Sequence, residues 1–138
     1  SPVEIRKPLH KIPIFPFQEI LIGGSKYASL SAEPHHLGEL SEYPFISLAK
    51  DTGTRELYAE YFLNHNLAFH PDMEAATTDQ ILPMVEYNLG IGFYPEELAR
   101  DALKSRTVCR IPLIEEAPKR EICLIINRGS TRTRRQKS

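Results

Sequence analysis

Tyr43-Pro44-Phe45-Ile46-Ser47-Leu48-Ala49-Lys50-Asp51-Thr52-Gly53-Thr54 joins a strand, a turn and the start of a helix in one short stretch. The apolar run from Tyr43 to Leu48 has the length of a buried strand, and Pro44 biases the residue before it towards extended backbone. Asp51-Thr52-Gly53-Thr54 then supplies turn and helix-cap residues. From Arg55 to Asn66, Leu57 with Tyr61 and Tyr58 with Phe62 form two i,i+4 pairs on one broad face, while Glu56, Glu60 and Asn64 point elsewhere.

The same phrase recurs downstream. Asp72 to Ala76 reads as a short strand, and Thr77, Thr78 or Asp79 caps a helix running to about Tyr87, with Ile81, Leu82 and Val85 inward. Pro83 removes one backbone donor there and predicts a kink or a first turn that starts late. Asn88 suits the left-handed conformation that ends a helix. Leu89 to Tyr94 is a buried strand, Pro95 opens a helix over Glu96 to Lys104, and strands follow at Thr107 to Leu113 and Arg120 to Asn127. Upstream, Pro2, Pro8, Pro13 and Pro16 predict an irregular extended approach. It leads to a strand at Phe17 to Ile22 that Gly23-Gly24 stops. Lys26 to Glu42 is turn-rich, with a short helix at His36 to Ser41. This alternation predicts an α/β fold, a mostly parallel sheet flanked by helices.

A chain of 138 residues with 41% hydrophobic and 25% charged side chains is an ordinary globular composition, long enough for one core. The reading divides it into one lobe with connecting strands, residues 1–128, and a basic tail, residues 129–138, expected to be disordered. Apolar runs such as Cys123 to Ile126 are far below the ~20 residues of a membrane span. Ser1 to Lys7 has no secretion signal, so a cytoplasmic protein is expected. Five of the 17 basic residues lie between Arg128 and Ser138, leaving 12 against 18 acidic ones and a net charge of −6 on the body. Such a body repels a phosphate backbone; the short tail reads as solvated more readily than as a nucleic-acid contact. Cys109 and Cys123 sit in strand-like runs and read as reduced buried thiols, a redox pair being the alternative. His35-His36 lacks companion ligands and reads as loop. Neither metal nor cofactor is expected.

Catalytic motifs are weak. Asp51-Thr52-Gly53 spells an aspartic-protease triplet, but the helix that follows makes it a cap. Gly90-Ile91-Gly92 opens a strand and has Pro95 where a dinucleotide fingerprint needs its third glycine. Ser47 lacks a nucleophile elbow. What remains is Thr52-Gly53-Thr54 and Thr77-Thr78-Asp79, two hydroxyl-rich helix starts that each follow a strand. On one edge of a parallel sheet, their N–H groups and dipoles suit a small anion. The bland alternative is that the hydroxyls only cap their own helices, and spacing alone leaves both readings open.

Leu40-Ser41-Glu42-Tyr43-Pro44-Phe45-Ile46-Ser47-Leu48, Gly53-Thr54-Arg55, Tyr61-Phe62 and Glu74-Ala75-Ala76-Thr77-Thr78 come in an order that resembles the effector domain of LysR-type transcription regulators. Asn88-Leu89-Gly90-Ile91-Gly92-Phe93-Tyr94-Pro95 is the most specific block, and Ile111-Pro112-Leu113 and Arg120 to Ile126 complete the match. The resemblance implies a lobe like those of type 2 periplasmic binding proteins, with crossover strands near 17–22 and 120–127. The family's winged helix-turn-helix and most of its first lobe are missing from this sequence. Asn88 stands where the family usually has glycine, and Pro83 where it has a helix-friendly apolar residue. By this resemblance the chain senses a small, anionic effector without altering it and is not an enzyme. DNA contact is left to the helix-turn-helix. A solute-binding or transport protein of the same fold is the alternative, and an enzyme on this fold would need an acid/base set that the sequence lacks. The expected effector residues are Ser47, Thr54, Thr77, Thr78 and Phe93. The resemblance also implies antiparallel pairing of subunits through the Arg55–Asn66 helix and the Asp72–Ala76 strand, so Leu57, Tyr58, Tyr61 and Glu74 are expected at an oligomer interface. The wide apolar and aromatic arc of that helix supports it independently.

Overall fold

A 15-residue strand, β1 (Leu9–Gly23), pairs with three other strands. The structure is a computed structural model that describes residues 9–127 and 133–136, with side chains over residues 18–119. From Leu9 to Gln18, β1 runs antiparallel to β6 (Lys119–Asn127). From Glu19 to Ile22 it runs antiparallel to β4 (Gly92–Pro95), and Ile22 and Gly23 also pair with β5 (Cys109–Arg110). Two further strands, β2 (Ile46–Leu48) and β3 (Met73–Ala75), pair in parallel. A parallel bridge between Phe45 and Ile91 sets β2 beside β4.

The sheet is therefore mixed, not mostly parallel. β2 and β3 are joined through a helix, α1 (Gly53–Asn64), and such a crossover permits parallel pairing. β4, β5 and β6 all lie against one strand that enters from the opposite direction, and each must pair with it antiparallel. The helices occupy both faces, as expected. On one face, Tyr58, Tyr61 and Phe62 of α1 pack on Leu21, Phe45, Ile91 and Phe93. On the other, α2 (Thr78–Glu86) and α3 (Glu96–Ser105) lay Ile81, Val85, Ala99 and Ala102 against Ile20, Ile22, Ile46 and Leu48.

The proline-rich approach, expected to be irregular, joins β1 from Leu9 onward. The register against β6 slips by one residue between Pro13 and Phe15, so Pro13 faces Cys123 and Pro16 faces Glu121. Cys123 and Glu121 are two apart on β6 and share one phase of the ladder. A pairing that asks no N–H of Pro13 therefore asks none of Pro16, and the bulge lets two prolines three apart sit in one strand. Conversely, the strand expected from Thr107 to Leu113 shrinks to Cys109–Arg110. Ile111 still donates to the Leu21 carbonyl at 2.8 Å, but Pro112 has no N–H to continue.

Lys26 to Glu42 folds as two 3-10 helices, Ser25–Ala32 and Leu37–Glu42, the second where a short helix is predicted. In α2 the late start expected from Pro83 does not occur, for the helix begins at Thr78 and runs through Pro83. Asn88 is left-handed, with φ 65°. Its Oδ1 also accepts the Lys26 N–H at 2.9 Å, holding the first 3-10 helix to the end of α2, which the family's glycine could not do. Of the basic tail, Thr133–Gln136 forms β7, antiparallel to β6; the rest of it lies outside the described residues.

Gly90 and Gly92 allow β4 to press against β2. A Cβ at Gly92 would stand 2.8 Å from the Ile46 carbonyl oxygen, and one at Gly90 would stand 2.7 Å from that of Pro44. Backbone cannot yield as a flexible side chain can. Gly92→Ala should therefore cost about 1–3 kcal/mol, read as a lower urea midpoint with an unchanged m value. A midpoint equal to that of the parent chain would show that the strands have room to spare.

Candidate functional site

Leu48 and Ala75 are partners in the β2–β3 register, so the two strands end level with each other. α1 starts a few residues after β2, and α2 a few residues after β3. Both helix N-termini consequently open on the carboxyl edge of the same sheet. The two starts are capped differently. At α1, Thr52 Oγ1 accepts the Arg55 N–H at 3.0 Å and donates to the Ala49 carbonyl at 3.1 Å, so this hydroxyl only caps its own helix. At α2, Thr77 occupies the N-cap position with no side-chain cap bond, and Gln80 Oε1 instead accepts the Ala76 N–H at 2.9 Å. Thr77 is exposed; Thr54 and Thr78 are half-buried in the first turns of their helices.

Charge at this edge is balanced locally. The Arg55 guanidinium lies against Phe69, 5.4 Å from the ring centre, and its Nη1 donates to the Leu48 carbonyl at 3.0 Å and to Glu74 at 2.9 Å. Asp79 and Glu56 sit in the first helical turns. What this edge offers is backbone N–H groups and helix dipoles more than a formal cation.

Not every expected residue reaches this edge. Phe93 is 1% exposed and packs among Phe45, Tyr58, Tyr61 and Phe62. It is core, because the strand alternation that points Tyr94 towards α2 and α3 points Phe93 towards α1. Ser47 is also 1% exposed, and its Oγ has no hydrogen-bond partner in the structure. It lies beneath α1, not at an open rim. The four residues expected at an interface divide between core and surface. Tyr58 and Tyr61 are buried within their own lobe, Tyr61 at 9% exposure, because α1 turns both rings onto Phe93. Leu57 is half-buried, and Glu74, though exposed, is engaged by Arg55. Leu63, at 68% exposure, is the large apolar side chain that α1 leaves outward.

One buried group has no counterpart in the sequence reading. Glu19 is 0% exposed, and its Oε1 accepts a hydrogen bond from the Tyr58 hydroxyl. The signal was its carboxylate standing in the apolar run Phe17 to Ile22. Among the described residues, no group of three or more histidine, cysteine or acidic side chains could hold a metal ion, and no helix is long and apolar enough to cross a membrane.

The LysR substrate binding domain family matches residues 4–137, and the chain belongs to that family. Among solved structures it is similar to the regulatory domain of CcmR from Synechocystis in complex with 2-PG. There the TM-score is 0.77 at 17% identity, over 100% of this chain and 64% of that one. It is also similar to the effector binding domain of QuiR in complex with shikimate, with a TM-score of 0.73 at 17% identity over 94% and 61% of the two chains. A reduced form of OxyR from N. meningitidis gives 0.68 at 18% identity over 96% and 60%. At such identities the likeness is one of fold, a periplasmic-binding-like α/β fold, and the chain spans less than two thirds of each relative's length. No curated protein matches it.

Burial, followed by the charges of Glu115 and Glu116, pushes the Tyr61 hydroxyl up to about 12. Its proton is therefore held more tightly in the folded chain than in the unfolded one. The resulting stability is complete below pH ~10, the unfolded value, and is lost as pH rises through about 12. Tyr61→Phe should flatten that alkaline loss. Because the hydroxyl is buried without a partner, it should also leave neutral-pH stability equal or higher by up to ~1 kcal/mol. Denaturant titrations at pH 7 and pH 11 measure both, and a clear loss at pH 7 would reveal a partner for this hydroxyl.

Proposed function

We propose that the chain is the effector-sensing lobe of a LysR-type transcription regulator, holding a small anionic metabolite at the N-terminal ends of α1 and α2 without transforming it. The observation that carries this reading is the level ending of parallel β2 and β3, from which two helix dipoles issue side by side. Thr54, Thr77 and Thr78 are the proposed contacts, with the unpartnered Ser47 hydroxyl behind them. Relatives of the same fold in complex with shikimate and with 2-PG support a small-molecule role. DNA contact is proposed to belong to a separate helix-turn-helix, with occupancy passed on by movement of the lobe on its crossover strands.

A thermal-shift panel of small carboxylates and phosphate esters tests the site. A true effector at a hundred times its Kd should add about 2.7 kcal/mol of stability. Thr77→Ala and Thr78→Val should each weaken its binding several-fold while leaving the unliganded melting temperature nearly unchanged. Equal affinity in both variants would place the ligand elsewhere.

Self-association is proposed through the outward side of α1 and strand β3, using Leu57, Leu63 and the Arg55–Glu74 pair. Leu63→Glu should then lower the sedimentation-derived association constant at least tenfold without changing the melting temperature. Unaltered association would remove α1 from the interface.

A further inference from the structure

β1 changes partners between two adjacent residues. Gln18 is paired with Lys119 of β6, and Glu19 with Pro95 at the end of β4. The strand leaves the crossover ladder and joins the lobe at this step. Glu19, the first residue inside, is a fully buried carboxylate on the same face as Leu21, the face covered by α1. Burying a carboxylate is costly unless it is hydrogen-bonded, and an apolar residue would continue Ile20-Leu21-Ile22 more cheaply. Its Oε1 accepts a bond from Tyr58, one turn along α1 from Thr54. A rigid helix turn therefore lies between the proposed anion site and the residue where the crossover strand enters.

We propose that the Tyr58–Glu19 hydrogen bond is the joint that makes α1 and the junction of β1 move as one unit, so that Tyr58 and Glu19 are positioning residues for signal transmission. Arg55 ties the first turn of α1 to β2 and β3. The apolar packing can slide, since dispersion is non-directional, whereas the buried hydrogen bond from Tyr58 fixes α1 against β1 itself. A shift of the first turn of α1 is thereby delivered to the residues at which β1 parts from β6. This deepens the effector-sensing reading and rests on it for its biological purpose; the mechanical coupling itself does not depend on a ligand.

Amide hydrogen exchange on the full chain tests the joint, with inorganic phosphate as the anion probe. Without phosphate, Tyr58→Phe should raise exchange about tenfold at Arg55 and Glu56 and, together with them, at Glu19 and Ile20. The α3 amides should stay as in the parent chain. Glu19→Gln, which keeps an acceptor oxygen for Tyr58, should show a clearly smaller rise. A rise confined to α1, or one spread evenly over the fold, overturns the joint. With phosphate, the parent chain should gain protection at both sets of amides and Tyr58→Phe only at Arg55 and Glu56. Protection that still reaches Glu19 in Tyr58→Phe also overturns it. Phosphate that protects neither set in the parent chain counts against the anion site instead, and the joint is then decided by the phosphate-free comparison.

Discussion

β1 is asked to serve two ladders, and most of the structure follows from how it does so. Up to Gln18 it belongs with β6, and from Glu19 it belongs with β4 and β5. A strand has two edges, and β1 fills them with neighbours that run against it. The sheet of the lobe is mixed for that reason, and the parallel direction survives where a helix carries the chain back. Two local devices make this possible. The bulge between Pro13 and Phe15 lets prolines sit in a paired strand, and the bare backbone of Gly90 and Gly92 lets β4 lie close to β2 while β1 occupies its other side. Without that close approach, β2 and β3 would be cut off from the strands that lead out of the lobe.

α1 collects the polar groups that this arrangement buries. Tyr58 reaches Glu19, while Ser47 and Tyr61 hold hydroxyls beneath or beside the helix with no partner. An unpaired buried hydroxyl costs on the order of 1–3 kcal/mol, so two of them under one helix are a notable expense for a small lobe. The aromatic rings around Phe93 offset it, with edge contacts such as Phe45–Phe62 at 5.8 Å and a stacked Phe62–Phe69 pair at 4.6 Å. The helix whose first turn is proposed to face ligand is thus held by rings along its length and by directional bonds, from Arg55 to Leu48 and Glu74 and from Tyr58 to Glu19.

Helix boundaries were legible because they rest on local chemistry. The Thr52 hydroxyl caps α1, Pro95 presets the backbone for α3, and Asn88 adopts the left-handed turn that few residues accept. The two helix starts could therefore be named from the sequence. Strand extent was less legible. Phe17 to Ile22 is apolar and visible, but Leu9 to Pro16 becomes strand only because β6 lies beside it. Thr107 to Leu113 looks like strand and is mostly not, since Pro112 meets a position where a ladder would need an N–H.

The sequence by itself determined the alternation of elements and most of their caps, which depend on residues within a turn or two of each other, and the family, whose matching blocks come in order along the chain. Tertiary structure alone decided strand direction, the identity of the core and the use of each polar group. Phe93, Tyr58 and Tyr61 are aromatic side chains that could line a cleft, an interface or a core equally well. Which of these they line depends on the side of the sheet that α1 covers, and that is set by contacts between segments far apart in the chain. Glu19 shows the same limit from the other side. A carboxylate in an apolar run is visible in the sequence, but its meaning appears once Tyr58, 39 residues away, is brought against it.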